Sequence, residues 1–310
     1  MTKNAIVKKI TGLFAGTGSR QRVCLEVRPD GIAWALSPGA FAPSAGFVEC
    51  LPAKRHKVLQ SLVDKSGWSG AVTTLVLPLD QYQVFQMEQP EGIEESELGD
   101  ALKWKLKDLL DFSPSDAVSD VFPFPEDASR GRGVLVNVVA ARKSLVSELV
   151  TLVQGSGLKL DRIDIAELAL RNLVSWLDKK KHGAALVHLR ERYGQMVVCR
   201  EETLYMSRRL DVALEDLWDA GRQESAVQSL ALEMQRSLDY YESQLGQVPP
   251  AMIHIVARDN VMPLVSMLST YVAAGVETLD WSTIGLEEAL DSRCLPAWSA
   301  SLSIAGGDRP

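Results

Sequence analysis

The sequence predicts an α/β protein built of two similar halves, one of them interrupted by an extra block. Three observations point there. A hairpin pattern, in which a charged turn separates two apolar runs, occurs twice: VCLEVRPDGIAWAL at 23–36 and AALVHLRERYGQMVV at 184–198. Each copy is followed by helices and strands in alternation. The first half alone carries roughly 80 further residues between Leu79 and Asp164. A repeat of that size is a fold-level signal, because each half must bury its own sheet against its own helices.

Taken in order, residues 22–36 form the first hairpin about the turn Pro29-Asp30-Gly31. AGFVECL (45–51) supplies a third strand, and the spacing of Val58, Leu62 and Val63 makes Lys54 to Lys65 helical. VTTLVLP (72–78) is a β-branched run of the kind that fills a buried central strand, and QYQVFQME (81–88) is a strand close behind it. IEESELGDALKWKLKDLLDF (93–112) reads as one helix: Leu98, Leu102, Leu106, Leu109 and Leu110 share a face, acidic residues lead, and Phe112-Ser113-Pro114 ends it. AVSDVFPF (117–124) and GVLVNVVAA (133–141) are strands around the polar loop PEDASRGRG. A helix over 143–155, a strand at 158–165 and a helix at 166–177 complete the first half, and Lys179-Lys180-Lys181-His182-Gly183 marks the boundary.

The second half repeats this order. Strands at 184–189, 194–200 and 202–210 precede a short helix and a long one at 224–245, closed by Gly246 and Pro249-Pro250. AMIHIVA (251–257) is a strand, VMPLVSMLSTYVA (261–273) a helix and VETLD (276–280) a strand; GLEEALDS (285–292) is helix-like and GGDRP is a frayed tail. The expected division is 1–21 as an N-terminal segment, 22–79 with 165–178 as the first half, 80–164 as the insertion, 183–302 as the second half and 303–310 as tail.

Bulk composition narrows the function. At 310 residues, 46% hydrophobic and 24% charged, the chain has an ordinary globular composition and room for a sizeable core. A net charge of −7 argues against nucleic acid as the main partner. Cys24, Cys50, Cys199 and Cys294 occur singly; Cys24 and Cys199 lie in apolar strands and read as buried reduced thiols. No apolar run approaches the ~18–20 residues that span a bilayer. The opening MTKNAIVKKITGLFAG holds Lys3, Lys8 and Lys9 beside an apolar stripe at helical spacing, which suits either peripheral contact with an anionic membrane or a starter helix packed on its own domain.

Three further stretches carry the most specific pattern: LPLDQYQVFQMEQPEG (77–92), DALKWKLKDLLDFSPSD (100–116) and VVAARKSLVSELVTLVQGSGLKLDRIDIAELAL (138–170), joined in the second half by EMQRSLDYYESQ (233–244). Over residues 20–285 or so the chain resembles the actin-like superfamily, and within it the PilM family of pilus-assembly proteins. The resemblance implies an actin-like (ribonuclease H-like) fold of duplicated halves, with an inserted subdomain of the kind found in PilM and the cell-division protein FtsA. It also implies a cytoplasmic place at the inner face of the inner membrane, within a pilus platform. The implied partner is a PilN-like bitopic membrane protein, whose N-terminal tail would lie in a seam near strands 81–88 and 117–124. The same core occurs in the cytoplasmic part of GspL of type II secretion.

Nucleotide-binding members of the superfamily carry D-x-G-[ST] at each hairpin, where turn amides hold phosphates and the aspartate organises metal and water. Here the aspartate positions are Glu26 and His188, and the glycine positions are Arg28 and Arg190. The Gly-Gly adenosine contact becomes Ala257-Arg258-Asp259. Two readings stand. The arginines bind the phosphates of Mg-ATP through their side chains, or the cleft is degenerate and takes no cofactor. The blandest reading makes them surface turn residues, paired at most with acids across the cleft, and replacing Arg190 with alanine should then change stability by no more than about 0.5 kcal/mol.

Other chemistries find little support. His56, His182, His188 and His254 show no ligand spacing, so no metal site is expected. GTGSR (16–20) lacks the Gly-Lys-Ser ending of a phosphate loop. Glu91, Glu94, Glu95 and Glu97 read as a solvated helix start favoured by the dipole. Trp104 falls off the leucine face, which suits an interface anchor or packing on a neighbouring subdomain. No catalytic residue is expected.

Overall fold

The computed structural model describes residues 22–37, 45–179, 181–258 and 262–302. The basic N-terminal segment, Asp259, Lys180 and the tail from 303 lie outside these residues.

The first sheet begins with β1 (Arg22–Arg28) and β2 (Gly31–Leu36), which pair antiparallel with Arg28 opposite Gly31 across the two-residue loop Pro29-Asp30. β3 (Ala45–Glu49) pairs antiparallel with β2. Gly31 therefore opens β2 rather than sitting in the turn. A side chain there would put its Cβ 2.4 Å from the Val48 carbonyl oxygen, so the close approach of β3 requires glycine. Helix α1 (Arg55–Ser66) returns the chain to β4 (Val72–Leu77), parallel to β1. Parallel pairing needs such a crossover, whereas the hairpins do not.

The three-stranded sheet comes next. It contains β5 (Tyr82–Glu88), α2 (Glu95–Lys103), β6 (Ala117–Pro123) and β7 (Leu135–Arg142), in the order β5-β7-β6, all antiparallel. Leu98, Leu102 and Leu106 pack on Val121, Val136, Val138 and Ala140 to form its core. The expected helix over 93–112 is shorter than its leucine spacing suggests. After Lys103 the chain continues in tighter turns, with Leu106 N–H donating to Lys103 O and Leu109 N–H to Leu106 O. Leu106 still reaches the core, but Leu109 is carried outwards and is exposed.

Helix α3 (Lys143–Gly155) leads to β8 (Lys159–Ile165), parallel to β4. The first sheet thus has the order β3-β2-β1-β4-β8. Its fifth strand lies within the block expected as insertion, so the separate sheet ends at Arg142 rather than near 164. Helix α4 (Ala166–Leu177) follows directly.

In the second half, β9 (Ala184–Leu189), β10 (Gly194–Arg200) and β11 (Thr203–Leu210) form the meander. Helices α5 (Leu214–Trp218) and α6 (Gln223–Ser243) precede β12 (Met252–Val256), α7 (Met262–Leu268) and β13 (Gly275–Thr278). The order β11-β10-β9-β12-β13 repeats that of the first sheet, with the same antiparallel and parallel pairings. The helix expected at 285–292 is absent: Gly285, at φ 81°, ends the turn capped by Asp280, and a second short turn capped by Asp291 leads into α8 (Leu295–Ser301).

Among the described residues the chain divides into two compact units. One comprises 22–124, 132–169 and 296–302; the other comprises 125–131 and 170–295. No helix among them is long and apolar enough to cross a membrane, and no group of acidic, histidine and cysteine side chains could hold a metal ion.

Candidate functional site

The chemistry of the first unit gathers at the carboxyl end of β1. Glu26 and Arg28 are two residues apart and so share a face of the strand. Both are buried, Arg28 at 2% exposure. The Arg28 Nε donates to Asp30 Oδ1 at 3.0 Å, and Nη1 stands 3.9 Å from Glu26 Oε2. The Phe47 ring lies 5.8 Å from its guanidinium carbon, and Arg55 Nη2 donates to the Arg28 carbonyl at 2.7 Å. Arg28 is thus an interior cation between two carboxylates, not a surface turn residue. Burial of a guanidinium requires this kind of pairing. An anion approaching it would meet the same two carboxylates.

In the second unit His188 is buried in the corresponding strand, and its Nε2 donates to the Ser292 carbonyl at 2.9 Å. That bond requires a proton on Nε2, since a carbonyl accepts and never donates. Arg190 is 5% exposed, against the expectation of a solvated turn. Its backbone N–H donates to Tyr193 O at 2.9 Å, closing the 190–193 loop. Its guanidinium carbon lies 5.5 Å from the Tyr193 ring centroid, and Arg209 lies over the same ring at 4.2 Å. Tyr193 itself is buried, so the two cations stack on an interior aromatic. Of the adenosine positions, Ala257 is half-buried and Arg258 exposed.

Two buried acids, Glu167 and Asp178, lie outside the residues singled out from the sequence, and Asp178 is satisfied by the Gly183 and Glu201 amides. Glu167, in the first turn of α4, is 3% exposed and accepts a hydrogen bond from the Tyr82 hydroxyl at the start of β5. Burial pushes its carboxyl up to about 8, against a hydrogen bond from its own backbone amide. The available signal was a single charged residue inside the apolar run IAELAL (165–170). Cys24 and Cys199 are buried, as expected, and desolvation pushes the Cys24 thiol up to about 12, which leaves it unreactive at neutral pH.

The strands singled out for partner contact, β5 and β6, are the two edges of the three-stranded sheet. Helix α2 packs against β6, where the Ser119 hydroxyl donates to the Gly99 carbonyl at 2.9 Å. Trp104, just beyond α2, is 61% exposed.

This architecture matches solved structures. The PilM-PilN type IV pilus biogenesis complex aligns with a TM-score of 0.70 at 18% identity, covering 92% of this chain and 97% of that one. A Bacteroides thetaiotaomicron protein described as having an actin-like ATPase fold aligns at 0.53, with 10% identity and coverage of 89% and 95%. The fold is actin-like. The cytoplasmic domain of EpsL, an inner-membrane component of the Vibrio cholerae type II secretion system, aligns at a TM-score of 0.54, with 13% identity and coverage of 91% and 95%. No protein-family profile and no curated protein matches the sequence. The actin-like assignment therefore rests on shape, on two sheets of identical strand order rather than on shared residues.

Proposed function

We propose that this chain is a non-enzymatic scaffold of a type IV pilus assembly platform, holding the N-terminal cytoplasmic tail of a PilN-like bitopic inner-membrane protein. The observation that carries this is the likeness to the PilM-PilN complex structure over nearly the whole of both chains. On this reading the chain works in the cytoplasm at the inner face of the inner membrane, alongside other platform components. The finer reading is a pilus of the mannose-sensitive haemagglutinin (MSHA) type, in which MshI is the counterpart. The stretches 77–92, 100–116 and 138–170 support it.

The nucleotide cleft of the superfamily is degenerate in this proposal. Its support is the engagement of Arg28 by Glu26 and Asp30, and the stacking of Arg190 on Tyr193. Neither hairpin offers glycine amides at the phosphate positions, so the residues present do not fit a bound triphosphate, and no catalytic step is assigned. The competing reading, a slow ATPase or ATP-gated adaptor, is tested by thermal shift. A ligand at 100 times its dissociation constant stabilises by about 2.7 kcal/mol, and the expected shift with millimolar Mg-ATP is none. A clear rise in melting temperature would reinstate the cofactor.

The tail is expected to bind along the three-stranded sheet, whose edges are β5 and β6. An edge strand offers main-chain groups to an extended peptide. Hydrogen exchange with a synthetic N-terminal peptide of the PilN-like protein checks this, and the expected protection lies in residues 82–88 or 117–123. Protection confined to residues 184–278, or no binding at high micromolar peptide, would overturn the placement. A GspL-like role in type II secretion is the second reading, favoured by the EpsL likeness. It predicts that the chain binds secretion components in place of the PilN-like tail.

A further inference from the structure

Helix α4 and strand β5 meet at a buried polar bond. Tyr82 opens β5 directly after the chain leaves the first sheet, and Glu167 opens α4 directly after β8 brings the chain back to it. The three-stranded sheet is therefore anchored where it departs from and returns to the first unit's main sheet. Both side chains are buried, and the tyrosine hydroxyl donates to the Glu167 carboxyl. The residues flanking Glu167 in the chain, Ile165, Ala166, Leu168, Ala169 and Leu170, are apolar and all buried.

Among the described residues no charged side chain offsets the burial of this acid. Tyr82 on β5 donates to it, and the upward displacement of the Glu167 carboxyl has burial as its cause with no charged contributor. The nearest acids in sequence are engaged elsewhere or solvated: Asp164 stands 3.9 Å from Arg162, and Asp80 is exposed. As a donor the tyrosine hydroxyl favours the ionised acid, but burial outweighs it, so the packed arrangement selects the protonated acid.

We propose that the Tyr82–Glu167 bond is a proton-gated tie: β5 docks on α4 with the carboxyl protonated, and the attachment of the three-stranded sheet loosens as that proton is lost. The sign follows from linkage. When the tie opens, Glu167 meets water and ionises in the ordinary carboxylate range, whereas the closed form holds its proton to about pH 8. The closed form therefore binds more protons than the open one between those limits. Its stability is full at acidic pH, falls as pH rises through this window, and levels off above pH 8. The base of the three-stranded sheet is on this account a pH-responsive joint, whatever partner the sheet binds.

Hydrogen exchange of the full chain as a function of pH tests this, after correction for intrinsic rates. Protection of the β5 amides is expected to fall on the order of fiftyfold between pH 5.5 and pH 7.5, while β9 and β10 hold theirs. Glu167→Gln keeps a neutral acceptor for the tyrosine and should make β5 protection independent of pH. A Glu167→Gln protein that keeps the wild-type pH dependence would overturn the proposal. So would a fall in β9 and β10 that parallels β5, since that is global unfolding rather than release of a tie. Carbon-13 titration of the Glu167 carboxyl in the wild-type chain decides the matter if the variant does not fold: a midpoint near 8 supports the tie, and one in the ordinary carboxylate range removes it.

Discussion

Arg28 and Arg190 show how far burial alters the meaning of a residue. From sequence each is a charged residue at the mouth of a hairpin, and such positions usually tolerate change. In the fold Arg28 is an interior cation touching Asp30 and close to Glu26, which is itself fully buried. Replacing Arg28 with alanine removes the cation beside a buried carboxylate and should cost about 3–5 kcal/mol by chemical denaturation. Adding Glu26→Gln to that variant should recover part of the loss, because the acid left behind is then neutral. Arg190→Ala should cost about 1–3 kcal/mol, well above the 0.5 kcal/mol of an exposed turn, through the lost stacking on Tyr193 and the space opened beside it. A change within 0.5 kcal/mol for either single variant would show that these side chains carry no weight in folding.

At the scale of elements, the sequence bounds the strands almost to the residue, since apolar runs bounded by Gly194, Pro78 or the Pro249-Pro250 pair leave little freedom. Over 93–112 the leucine spacing predicts one long helix where the chain forms a shorter one, because leucines spaced three and four apart satisfy tight turns as well as an α-helix. Packing on the sheet resolved the choice by holding Leu106 in the core and releasing Leu109. Gly99 in α2 makes the same point. Alanine normally improves a helix interior by about 1 kcal/mol over glycine. Here its Cβ would lie 2.7 Å from the Ser119 carbonyl oxygen of β6, a backbone atom that cannot swing aside. Overpacking costs about 1–3 kcal/mol, and displacement of α2 would also strain the Ser119–Gly99 hydrogen bond. Gly99→Ala should therefore destabilise by about 1–2 kcal/mol, with hydrogen exchange rising in β6 and α2 first. A stabilised variant would mean that α2 does not pack this closely on β6.

At the scale of the whole molecule, the two units each carry a complete five-stranded sheet with its own helices. Unfolding should not be two-state: calorimetric enthalpy is expected to exceed the van't Hoff value, and Arg28→Ala should lower the transition of the first unit while leaving that of the second in place. One sharp transition, shifted as a whole by that substitution, would show the units to be cooperative. The duplicated architecture was already written in the chain, because a repeated hairpin followed by the same alternation of elements admits few arrangements of strands. The interruption of the first half was legible too, as surplus length between matched elements. The sequence pattern left open what each polar residue at the hairpins faces. Whether Arg28 meets water or two carboxylates, and whether Glu167 keeps its proton at neutral pH, depends on groups distant in sequence: Tyr82 lies 85 residues from Glu167. Periodicity records which side of an element is apolar. It carries no information about the dielectric and the partners that packing brings to a particular side chain, and those set its charge and its cost.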